Sequence, residues 1–554
     1  MKIFKIVLLF LLIVEGMPSC KKNYLDENPI DFLSSSNAYI TYADFTIAVN
    51  DLYRVNRLEF YTRDENYPFD YLYGCDIVFD GQASTYRHTN MAATYDPTAG
   101  MSLTHWSAFY KLISEANTII SKAPASTMTD IQKNQIIAKA KFFRALGYRT
   151  LAYLYGGVPL ELNAVSVPKT NYVRASKTEV LNQCIDDLKF AVANLPAITA
   201  VQDGEINALA AGHLLAEVYL AAGQYQSALD AASVVIANPS VSLMKARFGT
   251  KATVTTGNVY WDLFQPGNQN RKGGNLEGLW VIQFETDVAG GASTTTGQAG
   301  NYLLERHHAP YVGSIVATGN KSPFNWPVSD LTGGRGIGWA VSTPYFSDSI
   351  WRSDFNNDLR NANINFARKF TATNTASSLY GQTISTITPP AGVIVPSRAF
   401  YAYETKCTTP GGHPLALYSN VATGLLKSTA GGTYLDQYFF RLAETYLLRA
   451  EAYLKLNNPA GAAADLNVVR ARSAASAVLP SAVTIDYILD ERLRELGVEE
   501  KRMLTLMRLG LWYDRTSRFN KYYSDAMPKY NLWPIPQSEI ERNNTAVLAQ
   551  NPGY

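Results

Sequence analysis

Net charge is almost absent from this sequence. Its 554 residues contain 49 Lys and Arg against 47 Asp and Glu, which leaves a formal charge of +2 at pH 7. No basic stripe and no run of interleaved arginine and aromatic residues occurs along the chain. Because nucleic-acid binding depends on concentrated positive charge, we predict no nucleic-acid partner.

Motifs for catalysis and metal binding are missing as well. The sequence has no zincin motif and no nucleophile elbow, and the glycine-rich stretch at residues 333–338 lacks the spacing of a nucleotide-binding loop. Asp354 and Asp358 have the opening spacing of a calcium loop, but Leu359 replaces the glycine that this loop needs, and Asn365 its closing glutamate. We therefore predict no cofactor, no metal ligand and no catalytic residue, and leave a structural calcium open.

Long hydrophobic runs are also lacking. The apolar run at residues 6–14 follows two lysines and is too short to span a bilayer comfortably, so it predicts a signal peptide over residues 1–19. Ser19 before Cys20 resembles the lipobox of bacterial lipoproteins, in which the cysteine is lipidated and becomes the mature N-terminus. We therefore predict lipidation at Cys20 and a polar tether over residues 20–41. A plain secretory peptide with an incidental cysteine is the alternative.

Cysteine is scarce in the rest of the chain. Beyond Cys20 there are Cys75, Cys184 and Cys407. An odd number at wide spacing argues against a disulfide framework and against a zinc site. The composition, 47% hydrophobic and 17% charged, is that of a globular protein with a large core.

The feature that is present is a helical hairpin at residues 207–240, which resembles one tetratricopeptide repeat. Ala208, Gly212 and Ala216 recur every four residues, so they lie on one helical stripe and allow a neighbouring helix to approach closely. Gly223 marks the turn. A single hairpin of this kind cannot bury its own apolar face, so further helical pairs are expected.

Helical patterns occupy both ends of the chain and fade in the middle. We predict an N-terminal helical part over residues 42–240, a loop-rich ligand-binding insertion over 241–432 and a C-terminal helical part of the same domain over 433–554. The insertion is rich in Gly, Thr, Ser, Asn and Pro, and only short pieces such as residues 279–285 indicate strand. A loop-rich span of this length is uncommon unless it has a function. The predicted fold is mainly α, with tetratricopeptide-like pairs that support this insertion.

Several short motifs, in this order and at this spacing, make the chain similar to the SusD/RagB family of outer-membrane nutrient-binding lipoproteins. They are spread over nearly the whole length. The matching residues are Cys20, Tyr24, Leu25, Asp26 and Pro29; Arg144, Ala145 and the YGGVP ending at residues 155–159; Arg441, Ala443, Glu444, Tyr446, Ala450 and Glu451; Asn467, Arg470 and Arg472; the ERLREL block at residues 491–496, Arg502 and Arg508; and Leu532, Pro534, Ile535, Pro536, Glu539, Ile540, Asn551, Pro552 and Tyr554.

The resemblance implies a helical fold of tetratricopeptide-like pairs that supports irregular loops. It also implies a partner, a TonB-dependent transporter of the SusC type, and a cargo that is usually an oligosaccharide, although some members are associated with peptides. Location at the outer membrane, through the lipid anchor, follows from it. Surface-displayed relatives often carry acidic residues soon after the lipidated cysteine, whereas Lys21 and Lys22 follow here, so display on the cell exterior stays open.

Glycan binding needs flat apolar faces that stack on a sugar ring, together with a few polar groups for its hydroxyls. Trp280 is excluded because it lies in the predicted strand. Trp326 is the preferred candidate, since Pro323 and Pro327 stiffen the backbone on either side. For any single ring, the competing interpretation is that it anchors its own loop. The full candidate set is Trp326, Trp339, Trp261, Trp351, Tyr311, Tyr345, Tyr86, Tyr95, Asn325 and Asp330.

Two other functions remain open from the sequence. The first is a glycoside hydrolase with two loop carboxylates across a cleft. Carboxylate pairs such as Glu491 and Glu495 lie on an arginine-rich helix, so we expect them to be salt-bridged instead of acting as acid and base. The second is a peptide-binding member or interaction scaffold of the same fold. The leading prediction is a non-enzymatic lipoprotein that captures an oligosaccharide and delivers it to a transporter.

Overall fold

The computed structural model of the protein describes residues 38–82, 89–165, 167–288, 290–296, 300–316 and 321–554. The predicted signal peptide, Cys20 and nearly all of the predicted tether lie outside these residues, and so does Tyr86. Their predicted roles therefore stay predictions. Among the described helices, none combines the length and the apolar character that a bilayer crossing requires.

The N-terminal part is built of helices whose starts are marked by local hydrogen bonds. Thr129 and Gln132 form a capping box at the start of one long helix, and Ser176 and Glu179 form another. In each box the first side chain accepts a hydrogen bond from the N–H of the third helical residue, whose own side chain accepts one in return. The helices are α1 (Tyr42–Arg57), α2 (Met91–Thr94), α3 (Gly100–Lys122), α4 (Asp130–Tyr155), α5 (Lys177–Asn194), α6 (Ala208–Ala221) and α7 (Tyr225–Ile236).

The middle of the chain is mostly irregular, with short helices and two-stranded antiparallel ladders. Its helices are α8 (Val259–Asp262), α9 (Leu304–His308) and α10 (Pro344–Ser347). Apart from β1 (Val78–Asp80), which lies between α1 and α2, the strands also fall here or at the end of this region: β2 (Gly278–Ile282), β3 (Ala340–Ser342), β4 (Phe366–Ala367), β5 (Lys369–Thr371), β6 (Thr383–Ser385), β7 (Tyr403–Glu404), β8 (Tyr418–Asn420), β9 (Leu425–Leu426) and β10 (Gln437–Arg441). They pair as β1 with β3, β2 with β10, β4 with β7, β5 with β6 and β8 with β9.

Helices return after β10 and continue to the end of the chain. They are α11 (Leu442–Lys455), α12 (Pro459–Arg472), α13 (Ile485–Glu495), α14 (Arg502–Leu509), α15 (Trp512–Phe519) and α16 (Gln537–Arg542). Helix α11 packs on α12 as a pair and also against α7, so helices from the two ends of the chain meet in one layer. The mainly helical fold with short strands is confirmed, while the domain boundaries stay a prediction.

The hairpin of α6 and α7 shows why its small residues matter. A Cβ atom on Gly212 would stand 2.9 Å from a methyl group of Val235, so α6 and α7 can pack this closely only because residue 212 has no side chain. The two helices contact each other along their length, and α6 also contacts α5. The predicted stripe of small residues is thus a close packing surface between helices.

Trp280 lies in the core, which agrees with our exclusion of this residue from the ligand-binding candidates. It belongs to β2 and is 1% exposed. Its ring centre lies 5.5 Å from that of Phe142 and 4.4 Å from that of Phe439, and its Nε1 donates to the carbonyl of Gly204 at 3.0 Å. The strand itself is shorter than predicted, because it ends at Ile282 and not at residue 285.

A buried network of ion pairs joins the loop region to the C-terminal helices. Glu495 of α13 is fully buried and forms ion pairs with Arg360, Arg441 and Arg472, which come from a loop, from β10 and from the end of α12. Glu491, one helical turn earlier, pairs with Arg360 at 2.8 Å. Because each partner neutralises a charge that burial would otherwise penalise, the loops are fixed to the helical layer by these contacts.

Candidate functional site

The loop residues that combine into a site gather where α9 ends. A glycine-rich turn at residues 333–339 passes directly over this end. A Cβ atom on Gly336 would stand 2.4 Å from the carbonyl oxygen of Ala309. Gly338 adopts φ +63°, and a Cβ there would stand 2.1 Å from the carbonyl oxygen of Arg398. Residues with side chains cannot replace these glycines at such distances, so the turn is held against α9 and the segment around Arg398.

Tyr311 and Trp326 meet beneath this turn. Their ring centres are 4.8 Å apart and the ring planes cross at 64°, which is an edge-to-face contact. The indole Nε1 of Trp326 donates to the carbonyl of Gly336 at 3.1 Å. Both rings are half-buried. Trp326 also packs against the apolar core, so it anchors its own loop as well as contributing to the surface.

Two arginines lie over these two rings. The guanidinium carbon of Arg335 is 5.4 Å from the ring centre of Trp326, and that of Arg398 is 5.5 Å from the ring centre of Tyr311. Each arginine is fixed through Nε, which donates to the carbonyl of Ser428 at 3.0 Å for Arg335 and of Ile337 at 2.6 Å for Arg398. We call these four residues, Tyr311, Trp326, Arg335 and Arg398, the arginine–aromatic patch.

Trp339 lies next to this patch, because it follows Gly338, which touches Arg398. Its half-buried ring has the guanidinium carbon of Arg306 at 4.9 Å, and the ring of His307 meets it edge-on at 5.0 Å. Arg306 forms an ion pair with Glu65. Three of the predicted aromatic residues, Tyr311, Trp326 and Trp339, are thus brought together at one end of α9.

The two polar candidates beside Trp326 are engaged with the protein. Asn325 is exposed, and its side-chain amide donates to the carbonyl of Thr373 at 2.9 Å. Asp330 accepts a hydrogen bond from the backbone N–H of Thr332 at 2.7 Å, and burial raises the pKa of its carboxyl group. Both residues organise loops close to the patch, and their contact with a ligand stays a prediction.

The prediction of ligand binding is wrong for two residues. Trp351 and Tyr95 are each 1% exposed, so neither offers a face to a ligand. The Nε1 of Trp351 donates to the carbonyl of Phe346 at 2.9 Å, and Tyr95 stacks on Tyr530 with ring centres 4.8 Å apart. Both rings fill the core under their loops, which was the competing interpretation from the sequence.

Two other candidates lie apart from the patch. Tyr345 stacks on Phe519 of α15 at 3.8 Å, and its hydroxyl donates to Asp490 at 2.7 Å. Trp261 belongs to α8, beside the guanidinium group of Arg247. Among the described contacts, neither ring touches a residue of the patch. The structure therefore does not combine them with Trp326 in one site.

The sequence analysis did not identify the arginines of the patch or Asp80. The position of Arg335 within the glycine-rich turn could have indicated that it belongs to the site. No feature of the neighbouring sequence connects Arg398 to Tyr311 or Trp326. Asp80 ends β1. Burial raises the pKa of its carboxyl to about 6, although a backbone hydrogen bond from Gln82 and the charge of Arg398 act in the opposite direction. A buried acidic side chain therefore lies near Arg398 without a hydrogen bond to it among the described contacts.

A separate cleft of about 1070 Å³ lies beside α1. Tyr53 and Arg57 line it, together with Gly204 and Gln283. The guanidinium carbon of Arg57 lies 4.4 Å from the ring centre of Phe284, and its Nε and Nη2 are buried without a hydrogen-bond acceptor among the described residues. This cleft is a second place where an anionic group could be received, so experiments must distinguish it from the patch.

One group of metal-type ligands occurs in the described part of the chain, but its charges are already compensated. Ligand atoms of His213, Glu217 and Glu444 lie within 4.8 Å of one another. Glu217 receives two hydrogen bonds from Arg149, at 2.9 and 2.8 Å, and Glu444 receives one from Arg492 at 2.6 Å. A divalent cation here would be repelled by both guanidinium groups, so we interpret the cluster as part of the ion-pair core.

The carboxylates of α13 are structural as predicted. Although burial raises their pKa values, the surrounding arginines outweigh this and hold the pKa values of Glu491 and Glu495 well below the usual range of a glutamic acid. A carboxyl group with so low a pKa stays ionised and cannot serve as the proton donor of a glycoside hydrolase.

Comparison with known proteins places these features in a family. Residues 354–554 match the family described as "SusD family", and residues 24–220 match the one described as "Starch-binding associating with outer membrane". The SusD-like protein P2 of Formosa agariphila is 26% identical to this chain, in an alignment that covers 100% of both sequences. The starch-binding protein SusD of Bacteroides thetaiotaomicron is 34% identical over 140 residues, which are 23% of this chain and 24% of that protein.

Solved structures share the fold. A laminarin-binding SusD-like protein superposes with a TM-score of 0.66 at 22% identity, over 93% of this chain and 100% of that one. A SusD superfamily protein from Bacteroides vulgatus superposes with a TM-score of 0.68 at 17% identity, again over 93% and 100%. The two family matches together with full-length relatives and the same mainly helical fold lead to one conclusion: this chain belongs to the SusD/RagB family.

Proposed function

We propose that this protein is an oligosaccharide-binding lipoprotein of the outer membrane that captures a glycan and delivers it to a SusC-type TonB-dependent transporter. The single observation that carries the binding role is the convergence of Tyr311 and Trp326, with Trp339 beside them, at the end of α9. Membership of a family that includes a starch-binding and a laminarin-binding protein supports carbohydrate as the ligand class.

The chemistry of this surface suits a saccharide. Half-buried rings supply apolar contact for the C–H side of a sugar, and the guanidinium groups over them supply hydrogen-bond donors for its oxygens. The rings come from separate loops and are fixed by contacts such as the hydrogen bond from the indole Nε1 of Trp326 to the backbone carbonyl of Gly336. A surface already ordered in this way loses little side-chain freedom when it binds a ligand, which favours affinity.

Location and partner rest on family membership and on the sequence. A family description that reads "associating with outer membrane" supports the outer membrane, and the predicted lipidation at Cys20 would supply an anchor. The SusC-type partner is proposed from family membership alone.

We propose a non-enzymatic role. The ion pairing of Glu491 and Glu495 removes one carboxylate pair from consideration as acid and base, and two of the proteins named above are described as binding starch and laminarin. Incubation of the purified protein with a polysaccharide panel, followed by an assay for new reducing ends, tests this. Multiple turnovers would contradict the binding-only role.

Binding itself is tested by calorimetry with oligosaccharides of known composition. Trp326→Ala should lower affinity roughly tenfold to a hundredfold, or about 1 to 3 kcal/mol, because aromatic anchors dominate small interfaces. Trp261→Ala is the matched control, since it removes a half-buried tryptophan away from the patch. Equal affinity of the Trp326→Ala protein and the unmodified protein would remove the patch from the binding site. A large fall in thermal midpoint with unchanged affinity would show that the ring serves only its own loop.

A further inference from the structure

The arginine–aromatic patch presents guanidinium groups where a binding site for neutral sugars would present bare ring faces. Arg335 lies over Trp326 and Arg398 over Tyr311. A neutral sugar that stacks on those faces must first displace both cations and so loses two favourable cation–π contacts. The arrangement therefore favours a ligand that uses the guanidinium groups over one that competes with them.

Both guanidinium groups keep part of their donor capacity. Nε of each is engaged with a backbone carbonyl, which fixes the plane of the group. Nη1 of Arg335 is buried without an acceptor, so only its Nη2 can reach a ligand, whereas neither Nη atom of Arg398 is buried or donates a hydrogen bond within the described residues. Arg398, fixed through Nε with both Nη atoms available, has the geometry that binds carboxylate or sulfate groups bidentately, and Arg335 adds a single donor at Nη2.

No carboxylate of the described residues forms an ion pair with these two arginines. Glu305, which accepts a hydrogen bond from the backbone N–H of Arg335, turns its carboxylate towards Thr408 and His413. Within the described residues, neither Arg335 nor Arg398 has an ion pair within 4.0 Å, whereas Arg306 beside Trp339 pairs with Glu65. Two cations without a fixed counterion on an otherwise nearly neutral protein are an attractive position for an anion.

We propose that the arginine–aromatic patch selects acidic oligosaccharides, whose carboxylate or sulfate groups are held by Arg335 and Arg398, the two guanidinium groups that the rings of Trp326 and Tyr311 support from below. This inference rests on the proposed glycan-binding function and specifies its ligand class. Asp80 tunes the site, because its chain neighbour Gly81 packs on Arg398, where an added Cβ would stand 3.3 Å from the Arg398 Cβ, and an ionised carboxylate this close opposes an incoming anion.

The test is calorimetry on the purified full chain with three probes at low salt: an oligogalacturonate, a sulfated carrageenan oligosaccharide and neutral laminarihexaose. We expect the better acidic probe to bind at least about tenfold more tightly than laminarihexaose, and its affinity to fall as NaCl is added, since salt screens exposed charges. The two acidic probes separate a carboxylate ligand from a sulfate ligand.

Variants locate the effect. Arg335→Gln and Arg398→Gln should each lower acidic-probe affinity about tenfold to a hundredfold, because each removes a charge-assisted hydrogen bond. Arg398→Lys should stay weak, since a lysine cannot bind bidentately. Asp80→Asn should tighten binding severalfold. Arg542→Gln is the control, because it makes the same charge change at a side chain that is 72% exposed on α16, away from the patch.

Three results would overturn the inference. Equal or tighter binding of laminarihexaose, lost in Trp326→Ala, would refute the acidic ligand class and leave the proposed function intact. Binding of an acidic probe that is lost in Arg57→Gln and kept in both patch variants would move the anion to the cleft beside α1. Absence of binding by any saccharide would refute the proposed function itself. The comparison of probes on the unmodified protein holds even if an arginine variant fails to fold.

Discussion

Replacement of Glu495 by glutamine should destabilise the protein more than any other single neutral replacement that we consider. The carboxylate of Glu495 is fully buried and accepts hydrogen bonds from Arg360 at 3.0 Å and from Arg441 and Arg472. A glutamine of the same shape keeps the packing but removes the negative charge that three buried guanidinium groups share. Breaking a buried ion pair by removing one partner typically costs about 3 to 5 kcal/mol.

That loss is a large share of the roughly 5 to 15 kcal/mol that stabilises a typical folded protein. We therefore expect the thermal midpoint of Glu495→Gln to fall by several degrees in differential scanning fluorimetry, with a matching shift in the urea midpoint. Glu539→Gln is the control: it breaks an ion pair with Arg542 on the exposed surface, where such pairs contribute about 0 to 1 kcal/mol.

The pH dependence gives an independent check. Burial raises the pKa of Glu495, but the charges of Arg472, Arg441 and Arg360 outweigh it, so the folded-state pKa lies well below the unfolded value of 4.5. The stabilisation is therefore fully present above pH 4.5 and is lost as pH falls towards the folded-state pKa. The difference between the two proteins should be constant from pH 6 to 8 and shrink below about pH 4.5. A Glu495→Gln midpoint within one degree of the unmodified protein at pH 7 would refute this reasoning.

Three further predictions concern other buried groups. Burial lowers the pKa of His105, but the carboxylates of Glu59 and Asp70 outweigh this effect and raise the pKa to about 9. His105→Gln should therefore lower the thermal midpoint most below pH 6.5, and the difference from the unmodified protein should decline as pH rises through 9. A difference that does not depend on pH would exclude a protonated histidine. Burial raises the pKa of Asp80 to about 6 in the folded protein, against 3.8 in the unfolded chain, so its ionised form opposes folding. Asp80→Asn should therefore raise the free energy of unfolding by about 1 to 3 kcal/mol at pH 7. Urea titration should find this increase reduced as pH falls from 6 to 4 and absent below pH 4. Gly338→Ala places a Cβ against the carbonyl of Arg398 at a backbone angle that alanine rarely adopts, so it should lower both stability and saccharide affinity. Gly381→Ala is the control, because Gly381 has φ +75° but no atom lies within 4 Å of the added Cβ. It should lower stability and leave saccharide affinity unchanged.

The features that the sequence determined by itself are those decided by residues close together in the chain. The capping boxes at Thr129 and Ser176 form because a side chain and the backbone N–H three residues later are brought together by one turn of helix. The stripe of small residues in α6 and the strand around Trp280 follow from short periods in the same way. Family motifs distributed along the chain extend this to the fold as a whole.

What only the tertiary structure decided is which loop rings are accessible and which cations stand beside them. Trp351 and Trp326 look alike in sequence, since each is a tryptophan in an irregular segment. Trp351 is buried and Trp326 is half-buried, because the neighbouring irregular segments fold over the first ring and leave part of the second exposed. The same holds for Arg398 over Tyr311 and for the arginines around Glu495. Burial and charge pairing depend on distances in space, and a linear pattern of residues does not contain them.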